Sequence, residues 1–87
     1  MTNWHIEQAA QLAPIVERVH GSHHPELTRV REITEELQHT DETTHTMTLF
    51  QELRTVTEDY KIPEDVCEAF EATYHALERA DQQLTAV

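Results

Sequence analysis

Cysteine and glycine occur once each in this 87-residue chain, as Cys67 and Gly21. A single cysteine excludes both a disulfide within the chain and a cysteine-rich zinc site. A single glycine excludes a glycine-rich phosphate-binding loop. The sequence contains no run of about 18 apolar residues, so it predicts no membrane-spanning helix. Its first residues, MTNWHIEQAA, lack the basic and apolar regions of a secretory signal. We therefore expect a cytoplasmic protein.

Basic residues are also scarce. One lysine and five arginines stand against seventeen acidic residues, which gives a formal net charge of −11 when the histidines are neutral. Binding to a phosphate backbone needs clustered lysine and arginine. We therefore expect neither nucleic acid nor an anionic membrane as a partner. An acidic surface suits cations or basic partners, but it also serves solubility alone, and composition leaves both interpretations open.

The remaining pattern is helical. No segment alternates apolar and polar residues in the manner of a strand. One glycine and three prolines suit helices joined by short corners. The sequence predicts an all-α fold, an up-down bundle of about four antiparallel helices in a single domain over residues 1–87. The predicted helices cover residues 3–20, 25–38, 41 or 43 to 59, and 63–84.

Apolar side chains at three-to-four spacing mark the face that each helix should bury. Pro14 interrupts the first pattern, so it either kinks that helix or restarts it. The expected inward-facing residues are Ile6, Ala9, Ala10, Ala13, Val16 and Val19; Leu27, Val30, Ile33 or Thr34, and Leu37; Met47, Phe50, Leu53, Val56 and Tyr60; and Val66, Cys67, Phe70, Tyr74, Leu77 and Leu84.

The stretch RVHGSHHPEL, residues 18–27, holds three of the seven histidines. We expect Gly21 to end the first helix in the left-handed conformation. Pro25 then suits the first turn of the second helix, with His24 or Ser22 as its cap. A second corner is expected near residues 39–41. A third is expected near residues 61–63, with Pro63 in the first turn of the last helix.

Four side chains around the first corner are candidate metal ligands. Imidazole nitrogens suit iron, zinc, copper and nickel, which makes His20, His23 and His24 candidates. Glu17 lies one turn before His20 and could add an oxygen ligand. The alternative is a polar corner whose histidines cap a helix or lie in solvent.

Two further sets of residues are candidates for a metal site or a reactive group. Glu71, His75 and Glu78 share one side of the last helix, but that side faces away from Phe70, so we expect it to be exposed. Cys67 near a helix start could be a reactive thiol. Its position beside Val66 instead favours an inert, buried side chain.

Two segments resemble the iron–sulphur cluster repair di-iron proteins, which are hemerythrin-like helical bundles. They are IVERVHGSHHPEL, residues 15–27, and LFQELRTVTEDYKIPEDVCEAFEATYHAL, residues 49–77. The second carries the more specific pattern, E-L-R-x-x-T-x-x-Y-x-x-P-E-D-x-C. The resemblance covers about half of the chain. It implies an all-α bundle, iron as the cofactor, and a role in mending iron centres after nitrosative or oxidative damage.

The resemblance has gaps where the metal ligands should lie. The family's segments of the form H-x-x-x-E-E and H-x-x-x-E-N are both missing. Thr43 falls near another expected ligand histidine, and His45 is two residues out of phase. His20 in VHG keeps the family's pattern. The chain therefore resembles a short relative that has kept the scaffold and lost most of the di-iron site.

Two functions are consistent with this pattern. The first is a repair protein that binds iron weakly, at a subunit interface or with a partner. The second is a metal-free helical interaction module, and catalysis through Cys67 is the remotest alternative. We expect a homodimer or a protein partner, since the core of so short a chain is thin. Trp4, Phe50 and Tyr74 are the aromatic side chains expected at such an interface.

Overall fold

The computed structural model describes residues 3–85 and confirms the all-α prediction. Four helices follow one another with no strand among these residues: α1 (Trp4–His20), α2 (Leu27–His39), α3 (Thr43–Thr57) and α4 (Glu68–Thr85). They form a bundle with extents of 34 × 21 × 18 Å. α1 packs against both α2 and α4, while α3 packs on α2 and meets α4 over a short stretch. The end of α1 therefore lies beside the start of α4.

Each helix contributes one face to a common core. Because the helices turn once every 3.6 residues, apolar residues three and four apart reach the same side. The largest fully buried apolar side chains are Tyr74, Phe50, Phe70, Ile33, Leu53, Leu77, Val16 and Val30. Three buried threonines join them, and each donates its hydroxyl to the carbonyl four residues earlier, so these hydroxyls have partners in the core.

α1 begins and continues as its sequence predicts. The Asn3 side chain accepts from the backbone N–H groups of His5 and Ile6, at 2.9 and 3.2 Å, and so satisfies two donors that have no partner within the helix. Pro14 lies inside α1 without splitting it. Its ring is on the exposed side of the helix.

The corner after α1 differs from the prediction at Gly21. This residue is right-handed, with φ −60° and ψ −29°, so the expectation of a left-handed stop was wrong. Glycine is needed here for a different reason. A Cβ at this position would lie 2.4 Å from the Glu17 carbonyl oxygen, to which the Gly21 N–H donates. α2 then starts at Leu27, and Glu26 at its N-cap makes no side-chain capping bond, so neither His24 nor Ser22 caps it.

The connection between α3 and α4 is longer than predicted. α3 ends at Thr57, and Glu58, Asp59 and Tyr60 all have positive φ, between 54° and 62°. The chain then runs through residues 61–67 outside any helix, so the predicted start of α4 at Pro63 was wrong. Packing accounts for the difference. Ile62 and Val66 lie partly buried against the core, which holds this segment along the bundle until α4 begins.

Several side chains lie on a different face from the one predicted. Val19 and Met47 were expected to be buried but are 62% and 43% exposed. Cys67 is also exposed, because it precedes α4 and does not share that helix's apolar face. Phe50 and Tyr74, expected at an interface, are fully buried. Among the expected surface aromatics, Trp4 is exposed.

Three of the five arginines link successive helices. Arg31 of α2 donates to Glu17 of α1 at 2.6 Å, and Arg29 of α2 holds Glu52 of α3 through two bonds of 2.6 and 2.7 Å. Arg54 of α3 donates through two nitrogens to Asp81 of α4, at 2.7 and 2.8 Å. Three of the scarce basic residues therefore form polar links between neighbouring helices, outside the apolar core. Within residues 3–85, no helix combines the length and the apolar character needed to cross a bilayer.

Candidate functional site

Residues from three parts of the chain meet at one end of the bundle. His20 is the last residue of α1, and His24 belongs to the corner that follows it. Asp65 and Cys67 come from the segment that leads into α4. The packing of α1 against α4 brings these parts together. We call His20, His24, Asp65 and Cys67 the corner cluster.

The first pair in the corner cluster is a histidine and a cysteine. His20 Nε2 lies 3.2 Å from Cys67 Sγ, although the residues are 47 positions apart. An ion with tetrahedral bonds of about 2.1 Å to nitrogen and 2.3 Å to sulphur would hold these atoms roughly 3.5 Å apart. The observed separation is that of a hydrogen bond between the imidazole and the thiol, and a shared ion would need these atoms to move apart by a few tenths of an ångström. Because Cys67 is exposed, a solute can reach the pair.

The second pair is a histidine and a carboxylate. His24 Nε2 lies 3.3 Å from Asp65 Oδ1, and the other ring nitrogen, Nδ1, lies 3.3 Å from Glu26 Oε2. The His24 side chain is 14% exposed, whereas that of Asp65 is 66% exposed. Imidazole and carboxylate are common ligands of the same first-row metals. With Glu26 on Nδ1, the His24 ring is held so that Nε2 faces Asp65.

The Phe70 ring packs against the histidine of each pair. Its ring centroid lies 5.6 Å from that of His20 and 5.4 Å from that of His24, in edge-to-face arrangements. Tyr74, one turn further along α4, stacks obliquely on Phe70 at 4.6 Å. Phe70 is fully buried, so it fixes the imidazole orientations from the core side.

The two pairs do not form a single complete metal centre. The centroids of His20 and His24 are 6.5 Å apart. Among the described residues, no three histidine, cysteine or acidic side chains converge closely enough to hold one ion. A di-iron centre needs several histidines and carboxylates projecting inward from separate helices. The described residues do not fit that group.

The other two predicted ligands lie apart from the corner cluster. His23 is exposed, and its Nδ1 lies 3.2 Å from the hydroxyl of neighbouring Ser22. The Glu17 carboxylate accepts from Arg31 at 2.6 Å. Hydrogen bonds from Thr28 and Arg31 lower its pKa. The structure thus brings His20 and His24 together and leaves His23 and Glu17 outside.

The sequence did not predict that Asp65 and Cys67 belong to the corner cluster. No local spacing relates them to the histidines, since Asp65 is 41 positions from His24 and Cys67 is 47 positions from His20. Cys67 was expected on the buried face of a helix that in fact begins one residue later. Its carbonyl accepts from the Glu71 N–H at 3.2 Å, so Cys67 occupies the N-cap position of α4. The one sequence feature that singles out Asp65 and Cys67 together is the motif P-E-D-x-C.

An open cleft of about 580 Å³ adjoins the corner cluster. Its lining includes His24, Glu26 and Asp65, together with Lys61 and Tyr74. Burial and the nearby charge of Glu26 raise the pKa of Tyr74, so its phenol stays protonated at neutral pH. His24 and Asp65, the second pair, are therefore accessible from the cleft, whereas Cys67 is not part of its lining.

A second polar cluster serves the fold. Asp81 is almost fully buried and accepts from Arg54, from the Tyr60 hydroxyl at 2.8 Å and from the Thr85 hydroxyl at 2.7 Å. Burial acts to raise the pKa of Asp81, but the hydrogen bonds from Arg54, Thr85 and Tyr60 outweigh it and the pKa is lowered. Every partner is a donor, so this carboxylate is an ionised anchor for the segment at Tyr60.

His75, which the sequence places on the outer side of α4, is exposed, as predicted. Glu71 shares that exposed side. Neither contributes to the corner cluster.

Comparison of the chain with protein-family models, with curated proteins and with solved structures finds no match.

Proposed function

We propose that this protein takes part in the repair of damaged iron centres by binding and releasing iron, and that it binds one metal ion weakly at the corner cluster. The observation that carries the proposal is the approach of His20 Nε2 to Cys67 Sγ at 3.2 Å. A nitrogen and a sulphur ligand suit ferrous iron, zinc and copper, which all occur in sites of mixed imidazole and thiolate ligands. The resemblance of the two sequence segments to iron–sulphur cluster repair proteins supports iron as the physiological metal.

The geometry supports weak binding. The first pair supplies two protein ligands, and a four-coordinate ion then has two positions for water, a second protein or a cluster fragment. The second pair, His24 and Asp65, lies at the same end of the bundle, with the His24 ring centroid 6.5 Å from that of His20. A site with open positions suits uptake and release of an ion better than permanent storage.

Metal titration of the untagged, reduced protein tests this proposal. Cobalt(II) is the spectroscopic probe, because a thiolate ligand gives an intense near-ultraviolet charge-transfer band. Ferrous ion under anaerobic conditions follows as the physiological candidate. We expect one ion per chain, with weakened uptake in His20→Ala and loss of the thiolate band in Cys67→Ser. His75→Ala is the matched control, since His75 is an exposed histidine outside the cluster.

Three results would contradict the proposal. They are absence of a thiolate band in the wild type, equal uptake by His20→Ala, and two tightly bound irons per chain. Repair activity is tested separately, by restoration of a damaged iron–sulphur enzyme in the presence of the protein, with Cys67→Ser as the inactive comparison.

A metal-free interaction module is the second candidate function. Exposed apolar side chains on α1 favour it, since Trp4 and Val19 are more than half exposed. This candidate predicts that a partner binds equally well to the wild type, His20→Ala and Cys67→Ser. Iron handling predicts that the cluster variants lose function.

A further inference from the structure

α1 carries an apolar strip on the side that faces away from the bundle. Trp4, Ile15 and Val19 are 66%, 45% and 62% exposed, and Leu12 between them is partly exposed. We call these four residues the α1 strip. Three of the four exposed large hydrophobic side chains in the described part of the chain belong to it, and the fourth, Met47, lies on α3.

Helical geometry makes the α1 strip continuous. At 100° per residue, its members fall within a sector of about 80°. Gln8 falls in the same sector, and no charged residue does. The core-facing residues Ile6 and Ala13 lie on the opposite side of the helix. α1 is therefore apolar on two faces, and its contacts with α2 and α4 cover one of them.

Opposite charges flank one edge of the α1 strip. Glu7 lies near its beginning and Arg18 near its end, at neighbouring angles around the helix. When two copies of a helix pack antiparallel about a two-fold axis, each edge faces the same edge of the partner. Glu7 then faces the partner's Arg18, and Arg18 faces the partner's Glu7. A parallel pairing would not bring these charges together.

We propose that two copies of the chain associate through the α1 strip, with the two α1 helices antiparallel and the two-fold axis near Leu12. In this register Trp4 packs against the partner's Val19. Trp4 is exposed to a partner, and its ring packs edge-on against that of His5 at a centroid distance of 5.1 Å. The uncharged sector lets two chains of net charge −11 approach without placing carboxylates directly opposite one another.

The size of the α1 strip sets the expected strength. A 17-residue helix is roughly 26 Å long, and four partly exposed apolar side chains on each copy form a contact no larger than the lower limit of stable interfaces, roughly 1,200 Å². We therefore expect a reversible dimer that forms over the micromolar range. The association is independent of the corner cluster, which lies on other residues, so failure of metal binding would leave it standing.

Sedimentation equilibrium of the untagged chain, with a reductant and a chelator present, tests the dimer. The reductant excludes a disulfide through exposed Cys67, and the chelator excludes a metal bridge. Val19→Glu should shift the protein to monomer. Met47→Glu adds the same charge at another exposed apolar residue and should leave the dimer intact. Trp4, the only tryptophan, should become less accessible to a fluorescence quencher as the wild type is concentrated.

Charge exchange tests the antiparallel orientation. Glu7→Arg should weaken the dimer at least several-fold, even though it lowers the net negative charge, and Arg18→Glu should also weaken it. The double variant, Glu7→Arg with Arg18→Glu, should restore wild-type association. A monomer at all concentrations would overturn the proposal. So would a dimer that resists Val19→Glu, or one that Glu7→Arg strengthens. Circular dichroism checks that each variant keeps its helices.

Discussion

The Tyr60 hydroxyl donates to Asp81 Oδ2 at 2.8 Å, and this bond joins the segment after α3 to the far part of α4. Two nitrogens of Arg54 bind the same carboxylate. Tyr60 itself has a φ of 62°, a conformation that a bulky residue adopts only when its surroundings require it. The Asp81 cluster is therefore what holds a locally unfavourable stretch of backbone in place.

Asp81→Asn should destabilise the protein by about 2–3 kcal/mol, since it removes the charge that satisfies Arg54 and Tyr60 in a buried place. The effect should depend on pH. The lowered pKa of Asp81 means that its stabilising contribution is present above the unfolded value of about 3.9 and is lost as the pH falls through the folded value. Urea denaturation at several pH values measures this. The difference between wild type and variant should shrink in acid, and Glu71→Gln on the exposed side of α4 should change little.

Glu58→Gly should stabilise the protein. Glu58 is exposed at the C-cap of α3, with φ and ψ both 54°, and glycine reaches this conformation without the steric cost of a Cβ. We expect a gain of about 0.5–1 kcal/mol in the free energy of unfolding. Glu58→Ala is the control, because it removes the same charge and keeps the Cβ. An equal gain in both variants would show that charge, and not backbone conformation, was responsible.

Gly21→Ala should destabilise the protein, although the backbone there is right-handed and would ordinarily accept alanine. The added Cβ would lie 2.4 Å from the Glu17 carbonyl oxygen, and that oxygen belongs to the backbone of α1 and has little freedom to move. We expect a loss of about 1–2 kcal/mol by chemical denaturation. Ser22→Ala, one residue later and exposed, should lie close to the wild type. Stabilisation by Gly21→Ala would show that the close approach is relieved at no cost.

The helices were predictable because their causes are local. The three-to-four spacing of Ile6, Ala9, Ala13 and Val16 and the Asn3 cap define α1 within a residue or two. The start of α4 was not predictable in this way. Pro63 suits the first turn of a helix and an extended segment equally well, and the choice depends on the distant contact between Tyr60 and Asp81 and on packing by Ile62.

The candidate site was likewise predictable only for the residues that lie close together in the sequence. His20 and His24 stand out because they lie together in the sequence, and the structure brings both to the same end of the bundle. Asp65 and Cys67 reach them through the packing of α1 on α4, which no local pattern encodes. Val19 is exposed because it lies roughly 60° around α1 from Val16, the nearest buried residue, and its three-residue spacing from Val16 alone does not show this.

Cys67 should react with a thiol reagent in the native protein. A place on the buried face of a helix would have made it slow, but the side chain is exposed and precedes the first turn of α4. We expect the labelling rate without denaturant to lie within roughly tenfold of the rate in the unfolded chain, because no opening of the core is required. Stopped-flow absorbance with an aromatic disulfide reagent measures both rates on the same sample. Protection by several hundred-fold or more would mean that the thiol is closed off in solution.

Binding of an ion to His20 and Cys67 adds a sharper expectation, since saturating cobalt(II) should then slow the labelling of the wild type. In His20→Ala, the same concentration of cobalt(II) should protect the thiol much less.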